Sequence, residues 1–238
     1  SYALMKGDEQ SLFVQLAVFS GGASLAAVAR VCDLPDDQTP RLMHALADKS
    51  LIQLSAVADE NRFSMLETLR QFAQQKLDTG QPRAVLMTRY AEWYRACIAT
   101  VAPKLFGRDR VQLLARLDAD LANLRAAIQY FIDTDPLLAI ECAIAMGRYW
   151  LWRGQYAEAR DFLEASLATQ LRIGEIPYVL ETKARYLAGG HCYMMSELVA
   201  AEQHYQLAFK TSALANDDVS AGAAMSGLAM VAYVQHGY

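Results

Sequence analysis

Between Gly147 and the end of the chain, one pattern of small and bulky residues occurs twice and begins a third time. The first unit reads Gly147, Trp150, Gly154, Tyr156, Ala159, Leu163, and the second Gly189, Cys192, Ser196, Leu198, Ala201, Tyr205. The third begins Ala229, Ala232, His236, Tyr238. The leading marker (Gly147, Gly189, Ala229) recurs after 42 and then 40 residues. A period of this length with no strand pattern inside it predicts a stack of helical hairpins. Each small residue lets two helices approach, and each bulky one plugs the neighbouring groove. A single hairpin cannot bury its apolar face alone. The truncated third unit is therefore expected to leave an exposed patch at its C-terminal end.

The first eighty residues follow a different plan. Leu12, Phe13, Leu16 and Phe19 mark one face of a helix from Asp8 to Phe19, which Ser20-Gly21-Gly22 breaks. Ser24 caps a second short helix ending near Cys32, and Asp36-Asp37 opens a third through Leu42 and Leu46. Leu51 to Leu54 and Arg62 to Met65 read as the arms of a β-hairpin around a polar turn at Asp59-Glu60-Asn61. A helix from about Leu66 to Leu77 follows. Three short helices, a β-ribbon and a closing helix make a winged-helix module over residues 1–80. Residues 81–136 read as connecting helices: an amphipathic one from Met87 to Val101 and a long one from about Arg110 to Ile132. Residues 137–238 hold the repeats. The expected fold class is mostly α, a winged-helix module with a small β-hairpin followed by an α-solenoid.

Composition excludes several function classes. The 238 residues are 54% apolar and 20% charged, well on the folded side of the disorder boundary. The net charge of −4 gives no basic footprint for nucleic acid. Residues 1–80 carry seven Lys/Arg against ten Asp/Glu. The candidate recognition helix near Pro40 to Lys49 offers only Arg41, His44 and Lys49, beside Asp48. Phosphate contacts supply much of the affinity for DNA, so direct contact by this module is disfavoured. The four cysteines (Cys32, Cys97, Cys142, Cys192) lie far apart without a CxxC pair, which indicates reduced thiols, neither disulfides nor a zinc site. His191 and Cys192 are adjacent, but neighbours on a helix point about 100° apart, so a packed Cys and a partly exposed His are expected. No G-x-S-x-G elbow or comparable grouping supports catalysis. No apolar run is long enough to span a bilayer, and no secretory signal opens the chain, so a cytoplasmic protein without membrane contact is expected. The first residue is not Met and no polar tail closes the chain, which suggests a piece of a longer protein.

The repeat markers resemble tetratricopeptide repeats. A second resemblance rests on five ordered blocks: Leu16-Ala17-Val18-Phe19-Ser20-Gly21-Gly22, Leu46 to Ile52, Phe63 to Ala73, Leu117 to Ile128 with Asn123-Leu124-Arg125-Ala126-Ala127, and Arg153-Gly154-Gln155-Tyr156. Together they resemble the middle and C-terminal regions of bacterial STAND-type ATPase regulators of transcription, related to the NB-ARC proteins. This resemblance implies an ATP- or ADP-binding domain upstream, a winged helix packed against it, and repeats that sense an effector or bind a protein partner. This chain has no GxxxxGK(S/T) loop, so no cofactor is expected on it. Met65-Leu66-Glu67 stands where NB-ARC relatives carry Met-His-Asp. Leu66 has no hydrogen-bond donor, so it is expected in the core of a strand-to-helix corner or in a domain-packing role.

Under the tetratricopeptide register the concave face carries Glu141, Ile144, Arg148, Leu151 and Trp152 from the first unit. The second contributes Lys183, Tyr186, Gly190, Tyr193 and Met194, and the third Met230, Tyr233 and Val234. Of these, Arg148, Trp152, Lys183, Tyr186, Tyr193, Met194 and Tyr233 are the candidate partner-binding residues. Aromatics, Met and isolated cations are the types that make binding hot spots. The expected groove has walls of Trp152, Tyr186, Tyr193 and Tyr233, with Arg148 and Lys183 at its edge. The alternatives are that these side chains pack between repeats, or that the repeats form a constitutive scaffold for a peptide or protein.

Overall fold

The computed structural model describes residues 2, 5–57, 60–77 and 82–237. It divides into two compact units, one of residues 1–97 and 106–127, the other of residues 98–105 and 128–238. The segment 81–136 is thus shared between the two units.

In the first unit, α1 (Gly7–Gln15) opens with the Lys6 N–H donating to the Glu9 carboxylate at 3.1 Å. It buries Leu12 and Phe13 and runs into a tight turn at Leu16–Val18, short of the Phe19 limit read from sequence. Gly21 and Gly22 adopt φ of +80° and +86°, and a Cβ on Gly22 would lie 1.9 Å from the Phe63 carbonyl oxygen. Only glycine lets the chain turn here and pass that close to the sheet. A two-residue strand, β1 (Ala23–Ser24), follows; its brevity hides it from any periodicity. The Ser24 hydroxyl then caps α2 (Leu25–Val31), accepting from Ala27 N at 3.2 Å. Next come α3 (Gln38–Asp48), β2 (Gln53–Val57), β3 (Glu60–Ser64) and α4 (Glu67–Leu77).

The sheet is antiparallel in the order β1-β3-β2, with Ala23 opposite Phe63 and Leu54 opposite Phe63 on the other side. β2 starts two residues later than Leu51, because Leu51 and Ile52 are buried ahead of the ribbon. Glu60 and Asn61 belong to β3, not to the turn, and Asp59 lies outside the described residues. Leu66 is 61% exposed, which corrects the core placement. Its corner turns the side chain outward while Phe63 takes the buried position.

Two long helices, α5 (Pro82–Val101) and α6 (Arg110–Thr134), extend through both units. In the first, Asn123 of α6 is fully buried. Its carbonyl accepts from Ser20 N at 2.7 Å and from the Tyr90 hydroxyl at 3.0 Å, and its amide donates to the Gly22 carbonyl at 2.8 Å. Arg62 of β3, 6% exposed, donates to the Ala119 carbonyl and to Asp120, the latter at 2.7 Å. The glycine turn and the ribbon are therefore fastened to α6 by buried polar contacts.

The second unit contains α7 (Pro136–Arg153), α8 (Tyr156–Ile173), α9 (Tyr178–Met194), α10 (Leu198–Leu214) and α11 (Asp218–His236). Asp135 caps α7, with Pro136 at its first position, and Gly154 closes it at φ +66°. Each helix packs on the next, and α9 also touches α7 and α11. That is the contact pattern of stacked hairpins. Trp150 is fully buried and stacks on Phe162 at 5.7 Å, and Ala159 and Leu163 of α8 are also fully buried. Among the described residues no helix is long and apolar enough to cross a membrane.

Replacing Asn123 by Ala strips three partners of their hydrogen bonds at once. We predict a loss of about 2–4 kcal/mol in the stability of the first unit. Urea denaturation checks this, and a loss below about 0.5 kcal/mol would show that the network contributes little.

Candidate effector groove

The second unit contains a groove of about 380 Å³. α7 contributes Gly147, Arg148 and Leu151; α9 contributes Tyr186, Leu187, Gly190, His191, Tyr193 and Met194; α10 contributes Tyr205; α11 contributes Ser226, Gly227 and Met230.

Its floor follows from glycines. A Cβ on Gly189 would approach the Tyr205 ring to 2.9 Å, and one on Gly227 would reach 2.6 Å. The ring is thus held between α9 and α11, where any side chain would displace it. Gly147 stands 3.1 Å from Leu187 on the same criterion. Gly147 and Gly189 therefore mark close helix contacts, as their spacing predicts. In the third unit Ala229 and Ala232 are exposed, and the buried face of α11 is Ala224, Gly227 and Val231. The markers there point away from the contact with α9 and α10.

Four of the seven candidate binding residues line the groove: Arg148, Tyr186, Tyr193 and Met194. The other three do not. Trp152 is 46% exposed beyond the end of the groove lining on α7, Tyr233 is 64% exposed, and Lys183 is also exposed. Each lies past the lining residues along its helix (Lys183 before Tyr186, Trp152 after Leu151, Tyr233 after Met230), so among the described residues the aromatic wall comes from α9 and the cation at the edge is Arg148. Tyr186 keeps 40% of its surface in water, and its ring meets the Tyr205 ring at 5.7 Å. It is not sealed between hairpins.

Sequence reasoning missed Tyr205, Gly227 and His191 as groove residues. Tyr205 had been marked as a packing plug, and it is both plug and floor. His191 is 3% exposed, which corrects the partly exposed position expected for it. Among the described residues neither ring nitrogen has a hydrogen-bond partner, and the Tyr156 ring centre lies 6.2 Å from the imidazole. Burial lowers its pKa from 6.5 to about 4, so the ring is neutral near pH 7. Burial likewise pushes the Tyr205 hydroxyl up to about 12.

On the first unit, three of the seven cations of the winged module form ion pairs within the unit. Lys49 pairs with Glu9 at 3.0 Å, Arg62 with Asp120, and Arg70 with Glu67 at 2.8 Å. The α2–turn–α3 arrangement backed by a three-stranded ribbon is a winged helix-turn-helix domain, and the family of that description matches residues 6–78. Over 193 residues the chain is 31% identical to a "Putative HTH-type transcriptional regulator" of Mycobacterium tuberculosis (strain H37Rv) and, equally, to one of Mycobacterium bovis. The match covers 79% of this chain and 21% of each relative, so the chain spans about a fifth of their length. No solved structure matches the chain significantly.

Because the folded state holds His191 neutral down to about pH 4 while the unfolded chain takes up its proton near 6.5, stability falls as pH drops through that window. We predict a loss on the order of 2–3 kcal/mol between pH 7 and pH 4 from this group. His191→Met should remove that part of the decline in urea titrations at several pH values. Parallel curves for the two proteins would contradict it.

Proposed function

We propose that this chain is the regulatory, partner-binding portion of a larger STAND-type regulator of transcription, with tetratricopeptide-like hairpins that receive an effector or protein partner in the groove. The observation that carries the reading is the composition of that groove. Tyr186, Tyr193, Met194 and Met230 line the groove together with Arg148, and Tyr186, Met194 and Met230 are exposed, while Tyr205 beneath them is buried. Aromatic rings supply contact area at small entropic cost, Met adapts to shape, and Arg orients an anionic group. The winged helix-turn-helix domain and the regulator-like relatives support a role in transcription.

In this reading the winged module is a packing element. Its seven cations stand against ten acidic residues, and the exposed Leu66 and Phe72 offer an apolar contact for an upstream ATPase domain that holds ATP or ADP. The chain itself is not an enzyme and holds no nucleotide. Effector binding shifts the balance of two states only if it favours one of them. A constitutive scaffold is the second reading, since the same groove could hold a peptide permanently.

The test uses the full-length protein carrying Tyr186→Ala and Tyr193→Ala at unchanged abundance. The switch reading predicts a transcript profile matching that of a deletion strain, and a wild-type profile would contradict it. In parallel, this chain should give no mobility shift with duplex DNA at physiological salt. A salt-dependent shift at submicromolar protein would make the winged module a DNA-contacting element.

A further inference from the structure

We propose that Glu164, Cys192 and His204 form a binding site for one divalent cation of the zinc class. The three residues stand on α8, α9 and α10, and each brings one ligand atom within 4.8 Å of the other two. Zinc bonds of about 2.0–2.3 Å in tetrahedral geometry place ligand atoms roughly 3.3–3.8 Å apart. The set therefore closes by at most about 1.5 Å. Glu164 and His204 are already 2.9 Å apart, so the movement is between this pair and the fully buried Cys192, and the Glu164 side chain, 45% exposed, is free to follow.

His204 Nε2 lies 2.9 Å from a Glu164 oxygen, so the imidazole and the carboxylate already face each other, and Nε2 is the ring nitrogen offered to the ion. Thiolate, imidazole and carboxylate together suit zinc or cobalt, and suit magnesium or calcium poorly. On binding, the Cys192 S–H proton passes to solvent, a sulfur–metal bond forms, and the cation sheds water molecules. The carboxylate exchanges its hydrogen bond to His204 for coordination.

Such an ion would join three successive helices. Cys192 is flanked by His191 and Tyr193, and His204 precedes Tyr205; all three of these neighbours line the groove. Metal occupancy would thus set the position of the groove wall. The inference does not require the groove to have a partner. Sequence spacing could not show it, since the ligands are 28 and 12 residues apart on separate helices.

The test titrates the whole chain, its thiols kept reduced, with Co²⁺ alone and then Zn²⁺. The expected result is one equivalent bound, with a thiolate-to-cobalt charge-transfer band that Zn²⁺ displaces. Cys192→Ala should abolish the band. Glu164→Gln, a change at an exposed side chain, should weaken binding by at least about tenfold. No charge-transfer band, the same band in Cys192→Ala, or unchanged affinity in Glu164→Gln would each overturn the site. Circular dichroism checks folding, and Glu164→Gln alone decides if Cys192→Ala does not fold.

Discussion

The helical part of this protein is organised around one aromatic ring. Tyr205 projects from α10 into a slot that exists because Gly189 and Gly227 have no side chains. Glycine inside a helix costs about 1 kcal/mol relative to alanine. Here that cost is offset by close helix contact, since the ring fills the space that two Cβ atoms would occupy. Cys192, Ala201 and Val231 pack around the same point. The groove is what remains on the open side of this arrangement, so its shape is a consequence of core packing and not a separate feature.

The first unit is held by polar contacts of another kind. Asn123, Arg62 and Asp120 tie a glycine turn and a β-ribbon to a long helix. Burying such groups is favourable only when every donor and acceptor is met. That requirement makes the corner rigid and buries Arg62 of the ribbon against Asp120. The two units thus divide the work that the proposed regulator needs. One offers a stiff module with an exposed Leu66, and the other a groove with adaptable side chains.

Much of this was legible in the sequence because it is periodic. The long helix from Arg110, the Ser24 cap and the close contacts at Gly147 and Gly189 all follow from local spacing and residue type. Four groove residues fell into place because the repeat register carries α9 onto α7. Trp152, Lys183 and Tyr233 did not, because a register gives the face of a helix but not how far along it the groove extends. Leu66 and His191 show a second limit. Whether a corner turns outward, or an imidazole is covered by Tyr156, depends on contacts between elements that no local pattern records. The Glu164–Cys192–His204 cluster is of the same kind.

The central claim is that Tyr205 and Gly227 define each other's space. Urea denaturation of Gly227→Ala, Tyr205→Ala and the double variant measures it directly. With the ring present, the new Cβ must displace it, and Gly227→Ala should destabilise by about 1–3 kcal/mol. With the ring removed, the same change should become neutral or stabilising by up to about 1 kcal/mol, as expected for alanine in a helix. An effect of Gly227→Ala equal in both backgrounds, within about 0.5 kcal/mol, would mean that the two positions act independently and that the slot does not govern the stack.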